Sequence, residues 1–187
     1  MLDALITSKT RLKLLLKFFL NPDNSAYLRG LESEFGESSN AIRLELNRLE
    51  QAKMIKSEVK GNRKLFQVNQ KHPLYNEINS IVRKYFGLDI IIENIANRLG
   101  DLELVLLTGD IAKGRDTGII DILLVGDIDR EFLAVLVGKA ELLIKRKIRY
   151  VIYTHEEWLA EDGRGKLLVW GNGKLVKPEG ISRKLEA

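Results

Sequence analysis

Apolar residues recur at helical spacing at Leu12, Leu15, Leu16 and Phe19, which predicts a helix from Thr10 to Leu20. The turn formers Asn21-Pro22-Asp23-Asn24 end it. Leu28, Leu31 and Phe35 mark a short second helix over 27–35, closed by Gly36. Ser38 or Ser39 is placed to cap a third helix running to about Lys53, with Ile42, Leu46 and Leu49 as its inward stripe. Two β-prone stretches, 55–59 and 65–69, flank Lys60-Gly61-Asn62-Arg63-Lys64, which reads as a five-residue hairpin loop. Pro73 opens a further helical pattern that reaches about Leu99, with a break near Gly87. From Leu102 the period changes: strand 102–108, loop 109–118, strand 119–125, helix 130–145 and strand 147–153. A short helix near 155–161 and a strand near 166–170 follow, and the last ten residues, with Pro178 and Gly180, read as a frayed end.

Three helices followed by a β-hairpin form a winged helix. The fold class expected is therefore α+β with two domains: a winged helix-turn-helix over 1–72, a connecting helix over 73–100, and an α/β domain over 101–187.

Composition narrows the function classes. The 187 residues are 45% apolar and 30% charged, ordinary for a globular chain. No cysteine is present, which excludes disulfides and thiolate zinc sites, and the two histidines, His72 and His155, are far apart. There is no uninterrupted run of about 18 apolar residues. Arg11, Lys13 and Lys17 interrupt the apolar start, so no signal peptide is expected and a cytoplasmic location is the default. The formal charge of +4 is unevenly placed. Residues 1–72 hold 13 Lys and Arg against 8 Asp and Glu, and the rest hold 17 against 18. That excess points to a polyanion partner for the N-terminal part.

The stretch ESSNAIRLELNRLEQAKMIKSEVKGNRKLFQVN, residues 37–69, resembles the recognition helix and wing of winged-helix regulators of the arsenic-repressor and multiple-antibiotic-resistance types. In those families the helix ends in L-x-x-L-x-x-x-G-L-V. Here Leu46, Leu49, Met54 and Ile55 take the apolar places, and Lys53 stands where glycine is usual, so a different bend after the helix is expected. The resemblance implies double-stranded DNA as partner and a homodimer on paired half-sites. With the apolar stripe inward, Ser39, Asn40, Arg43 and Asn47 face outward, where Arg reads guanine and Asn reads adenine. Lys60, Asn62, Arg63 and Lys64 form the wing, suited to phosphates or the minor groove, and Ser38 suits a cap or a phosphate contact. Glu45 and Glu50 on the same helix weigh against a purely electrostatic face. The alternative is a solvated polar face used for protein contacts. The dimer surface is expected on the helix at 1–20 or the segment 73–99.

The second motif is LLTGDIAKGRDTGIIDILLV, residues 106–125. Gly109 and Gly114 have P-loop spacing, but Arg115-Asp116 replaces Lys-Ser/Thr, so the phosphate chemistry fails. The stretch resembles instead the minimal nucleotidyltransferases of the polymerase-beta-like superfamily, over roughly residues 88–170. Gly109-Asp110 stands for Gly-Ser, Ala112-Lys113-Gly114 for Ala-Arg-Gly, and Ile119-Ile120-Asp121 for Asp-x-Asp. The resemblance implies three metal-binding carboxylates, two of them at i and i+2 on one strand face. Asp121 is the one that survives, and the strand 148–153 has no acid. The expectation is a catalytically degenerate domain with no catalytic residue, metal or cofactor, serving assembly or the sensing of a small-molecule or protein effector. Thr108, Gly109, Asp110, Lys113, Gly114 and Asp121 form a candidate anion or ligand pocket. Against it stands a packing role for the glycines, with Asp121 paired to Lys113 or Arg115. Two other functions stay open: an active metal-dependent nucleotidyltransferase that carries a DNA-binding domain, and an interaction protein of the toxin–antitoxin kind.

Overall fold

The structure is a computed structural model that describes residues 4–173 and Ile181. The chain divides into two compact units, Met1–Tyr85 and Phe86–Ala187. The expected frayed end lies outside the described residues, apart from Ile181.

In the first unit Ser8 starts α1 (Lys9–Phe19), its hydroxyl accepting the Arg11 N–H at 3.2 Å. The apolar residues Leu12, Leu14, Leu16, Phe18 and Phe19 of α1 are buried, so this helix contributes to the core of the unit. A strand β1 (Ser25–Tyr27) leads into α2 (Leu28–Phe35), which Gly36 ends in the left-handed conformation. Ser38 caps α3 (Ser39–Gln51) by accepting the Ala41 N–H. Ile42, Leu46 and Leu49 are buried, at the spacing that one helix face requires.

Lys53 takes the left-handed conformation, φ 58°, that glycine would have adopted. Its N–H reaches Glu50 O at 2.9 Å and the Met54 N–H reaches Leu49 O at 2.9 Å, the two bonds of a Schellman stop. The bend that glycine would give is therefore kept, where the sequence led to a different one, and lysine bears the strain. β2 (Ile55–Lys60) and β3 (Arg63–Val68) then pair antiparallel, with Lys60 opposite Arg63. The expected five-residue loop is a two-residue turn, Gly61-Asn62, because Gly61 at φ 64° permits the tighter connection. β1 joins β3, giving the sheet order β1-β3-β2. Three residues are too few to show a sequence period, so β1 is not among the expected elements.

The segment 73–100 is not one helix. α4 (Tyr75–Phe86) stops where Gly87 turns left-handed, and α5 (Leu88–Asn94) with a 3-10 turn at Ala96–Arg98 follows. A side chain at Gly87 would meet Ile144 Cγ2 at 2.5 Å.

The second unit is a four-stranded mixed sheet, order β6-β5-β4-β7. β4 (Leu102–Leu107) runs antiparallel to β5 (Ile119–Gly126) and to β7 (Leu167–Gly171), and β5 runs parallel to β6 (Lys147–Tyr153). Leu104, Leu106, Leu123, Val125 and Leu168 pack with Trp158 of α8 (His155–Leu159). The intervening Val105, Leu107, Ile122 and Leu124 are equally buried, so both sheet faces are covered. A four-residue helix, α6 (Gly109–Ala112), lies in the expected loop between β4 and β5. α7 (Arg130–Ile144) is capped by Asp129 and packs against α5. Among the described residues no helix is long and apolar enough to cross a membrane.

Candidate nucleic-acid interface

Charges in the first unit separate into two groups. On the inner side, Arg11 donates two hydrogen bonds to Glu45, at 2.8 and 3.2 Å, and Arg48 adds one at 3.1 Å. Lys17 donates two to Glu34, at 2.9 and 2.8 Å, and Lys13 binds Glu37 at 2.7 Å. Burial pushes the Glu45 carboxyl up, but the Arg11 bonds and the nearby guanidinium charges outweigh it and hold it below the usual value. Glu45 thus points into the helix packing. It does not weaken the outward face of α3, which corrects the expectation from sequence.

The second group of cations surrounds a cleft of about 680 Å³ between α2, α3 and the hairpin. Leu46 and Phe66, both buried, form its floor, and Asn47 and Asn62 line it. Arg29, Arg43, Arg63 and Lys64 border it. Lys64 approaches Glu50 at 3.5 Å. Arg29, Arg43 and Arg63 have no carboxylate partner among the described residues. Arg43 instead reaches Asn40 Oδ1 at 3.5 Å, so two outward residues of α3 share one contact. Lys60 sits 3.7 Å from Glu58 at the hairpin end. Ser38 is the helix cap and the Ser39 hydroxyl donates to Glu32, so both serve α3's start.

Arg29 was not singled out from sequence. The available signal was its position as the lone cation near the start of an α2 otherwise carrying Glu32 and Glu34.

In the second unit the glycine loop is closed by its own charges. Register pairing puts Asp121 opposite Arg149, whose guanidinium donates at 2.6 and 2.9 Å. Asp121 therefore pairs with Arg149, and not with Lys113 or Arg115 as the sequence suggested. Its hydrogen bonds and charge raise the Arg149 pKa further. Arg115 binds Asp110, and Arg146 binds Asp116. The place where Gly109 would bear a side chain lies 2.7 Å from Asp121 Oδ2, so the carboxylate occupies the space beside the loop backbone. The Thr108 N–H already donates to Asp121 O at 2.9 Å, Gly114 is buried in the loop and Lys113 is exposed.

These residues do not fit the divalent metal that the nucleotidyltransferase resemblance implies. Ile119 stands two residues before Asp121, and β6 presents a cation opposite it. Among the described residues no three acidic or histidine side chains gather as a metal site.

No protein-family model matches the chain and no curated protein does. Two solved structures are similar in part. One is AF1382 from Archaeoglobus fulgidus, 21% identical, covering 44% of this chain and 93% of its own, with a TM-score of 0.37. The other is reduced HlyU from Vibrio cholerae, 16% identical, covering 46% of this chain and 83% of its own, also at 0.37. Likenesses at this level fix neither fold nor function for the chain.

Proposed function

We propose that the protein is a DNA-binding transcriptional regulator. The first unit reads double-stranded DNA, and the second, a catalytically degenerate nucleotidyltransferase-like domain, serves assembly or ligand sensing. One observation carries the reading: Arg29, Arg43 and Arg63 border one cleft without carboxylate partners among the described residues, while the cations behind them are matched by Glu34, Glu37 and Glu45. Unmatched cations beside Asn47 and Asn62 suit phosphates and base edges together. α3 enters the major groove with Asn40, Arg43 and Asn47 toward the bases. The wing residues Lys60, Arg63 and Lys64, with Arg29, hold the backbone, and Ser38 and Ser39 fix the helix start. A homodimer places two such helices on paired half-sites. The acids of the glycine loop are held by arginines, which supports a role without catalysis.

The test is a gel shift on duplex DNA from the protein's own promoter. Arg43→Glu with Arg63→Glu abolishes binding if the reading is right, and unchanged binding refutes it. Each phosphate contact contributes a slope of about −0.9 in log affinity against log salt, so the four backbone contacts weaken binding about 150-fold between roughly 50 and 200 mM.

A further inference from the structure

α7 carries apolar residues on both sides. Its inner face buries Leu133, Leu136, Val137 and Ala140. Its outer face leaves Leu142 81%, Leu143 60%, Val135 53% and Phe132 44% exposed. Arg130, Glu131, Lys139 and Glu141 are the helix's charged residues, and Glu141 is engaged by Lys147 and the Ile148 N–H. A helix that is apolar nearly all round belongs inside an assembly.

Glu131, Val135, Gly138, Leu142 and Lys145 follow at steps of four and three, so they form one row along the helix. The ends of the row carry opposite charges, and neither Glu131 nor Lys145 has an ionic partner among the described residues. Gly138 is exposed mid-helix with no atom within 4 Å of where a side chain would begin. Glycine there is unfavourable for the helix alone. It permits a second backbone to approach closely.

Such a row is complementary to itself when inverted about Gly138. Glu131 then meets Lys145, Val135 meets Leu142, and Phe132 meets Leu143, each pair occurring twice. We propose that α7 is the homodimer interface, with a second copy of this chain lying antiparallel across it at Gly138. The inference rests on the homodimer reading and names its surface. An isologous contact of this kind closes on two subunits. One helix face is a small interface, below about 1,200 Å² in total, so association in the micromolar range is expected.

Sedimentation equilibrium of the full chain tests it. Glu131→Lys and Lys145→Glu each set like charges against each other and weaken association at least tenfold, and the double exchange restores it. The Cβ of Gly138→Gln has open space around it among the described residues, so the variant folds with a thermal midpoint no lower than that of the monomeric Glu131→Lys chain while the dimer is lost. A monomeric wild type at every concentration, whether the stripe stays bare or takes another protein, overturns the inference. So does a dimer indifferent to all three single changes, or a double exchange as weak as the singles. A monomer that still binds duplex DNA overturns this inference alone, and a dimer that binds none overturns the DNA reading alone.

Discussion

Replacing Gly109 by alanine measures how tightly the glycine loop is built around Asp121. Gly109 and Gly118 both have positive φ, 62° and 77°, so alanine bears a similar backbone penalty at each, about 1–2 kcal/mol. Part is offset because alanine loses less entropy on folding, by about 0.4–1 kcal/mol. The surroundings differ. A side chain at Gly118 meets nothing within 4 Å, whereas at Gly109 it lies 2.7 Å from Asp121 Oδ2. Ordinary carbon–oxygen contacts begin at about 3.3 Å, so the carboxylate must retreat by roughly 0.6 Å. That retreat breaks its alignment with Arg149. Forcing a packed side chain aside costs about 1–3 kcal/mol, and the lower end applies at this half-buried rim. Gly109→Ala is therefore expected to cost about 1 kcal/mol more than Gly118→Ala, or about 4–8 °C in the midpoint of a 100-residue unit. In an Asp121→Ala background the difference vanishes, because the obstructing atoms are gone. Thermal denaturation of the four variants reads the cycle. Equal costs in the native background, or a gap that survives Asp121→Ala, refutes the packing account.

Three further outcomes follow from the first unit. Tyr75 stacks on Phe19 at 5.8 Å with its hydroxyl buried and unpaired among the described residues, and burial pushes its pKa to about 12. Tyr75→Phe is expected to leave stability unchanged or raise it by about 1 kcal/mol, since no hydrogen bond is lost, and a clear loss in denaturant titration contradicts this. Lys53→Gly relieves the left-handed strain and stabilises by about 1 kcal/mol while Lys53→Ala gives no gain, so equal effects in urea melts count against the helix-stop reading. Lys13 and then Thr10 lower the Glu37 carboxyl, and Glu45 is lowered by Arg11 against its burial. Folded values below the ordinary 4.5 mean stability that is full above that pH and lost as pH falls through the lowered values. Melting points taken from pH 7 to 3 should fall below about 4.5, less steeply in Glu45→Gln, and a flat profile contradicts the pairing.

Local periodicity made most elements readable. Ile42, Leu46 and Leu49 are one turn apart, and a core face follows from that spacing alone. The features that sequence did not reveal depend on distant partners. Asp121 and Arg149 meet because parallel register aligns β5 with β6, and nothing near either residue announces it. Glu45 turns inward because Arg11, on another helix, receives it. Arg29 joins Arg43 and Arg63 only once the hairpin folds beside α2. The hairpin turn was overestimated because charged Lys60 and Arg63 read as loop although they form the last strand pair. Lys53 shows the converse: a missing glycine suggested a changed bend, and the backbone kept the bend with lysine in it.

Whether the first unit reads duplex DNA is tested by selection of bound duplexes from a random-sequence pool by the purified full chain. The expected result is enrichment of a defined motif that Arg43→Ala relaxes at specific positions and that Arg63→Ala binds more weakly without a change of motif. A pool that stays random, with no duplex retained at low salt, contradicts it.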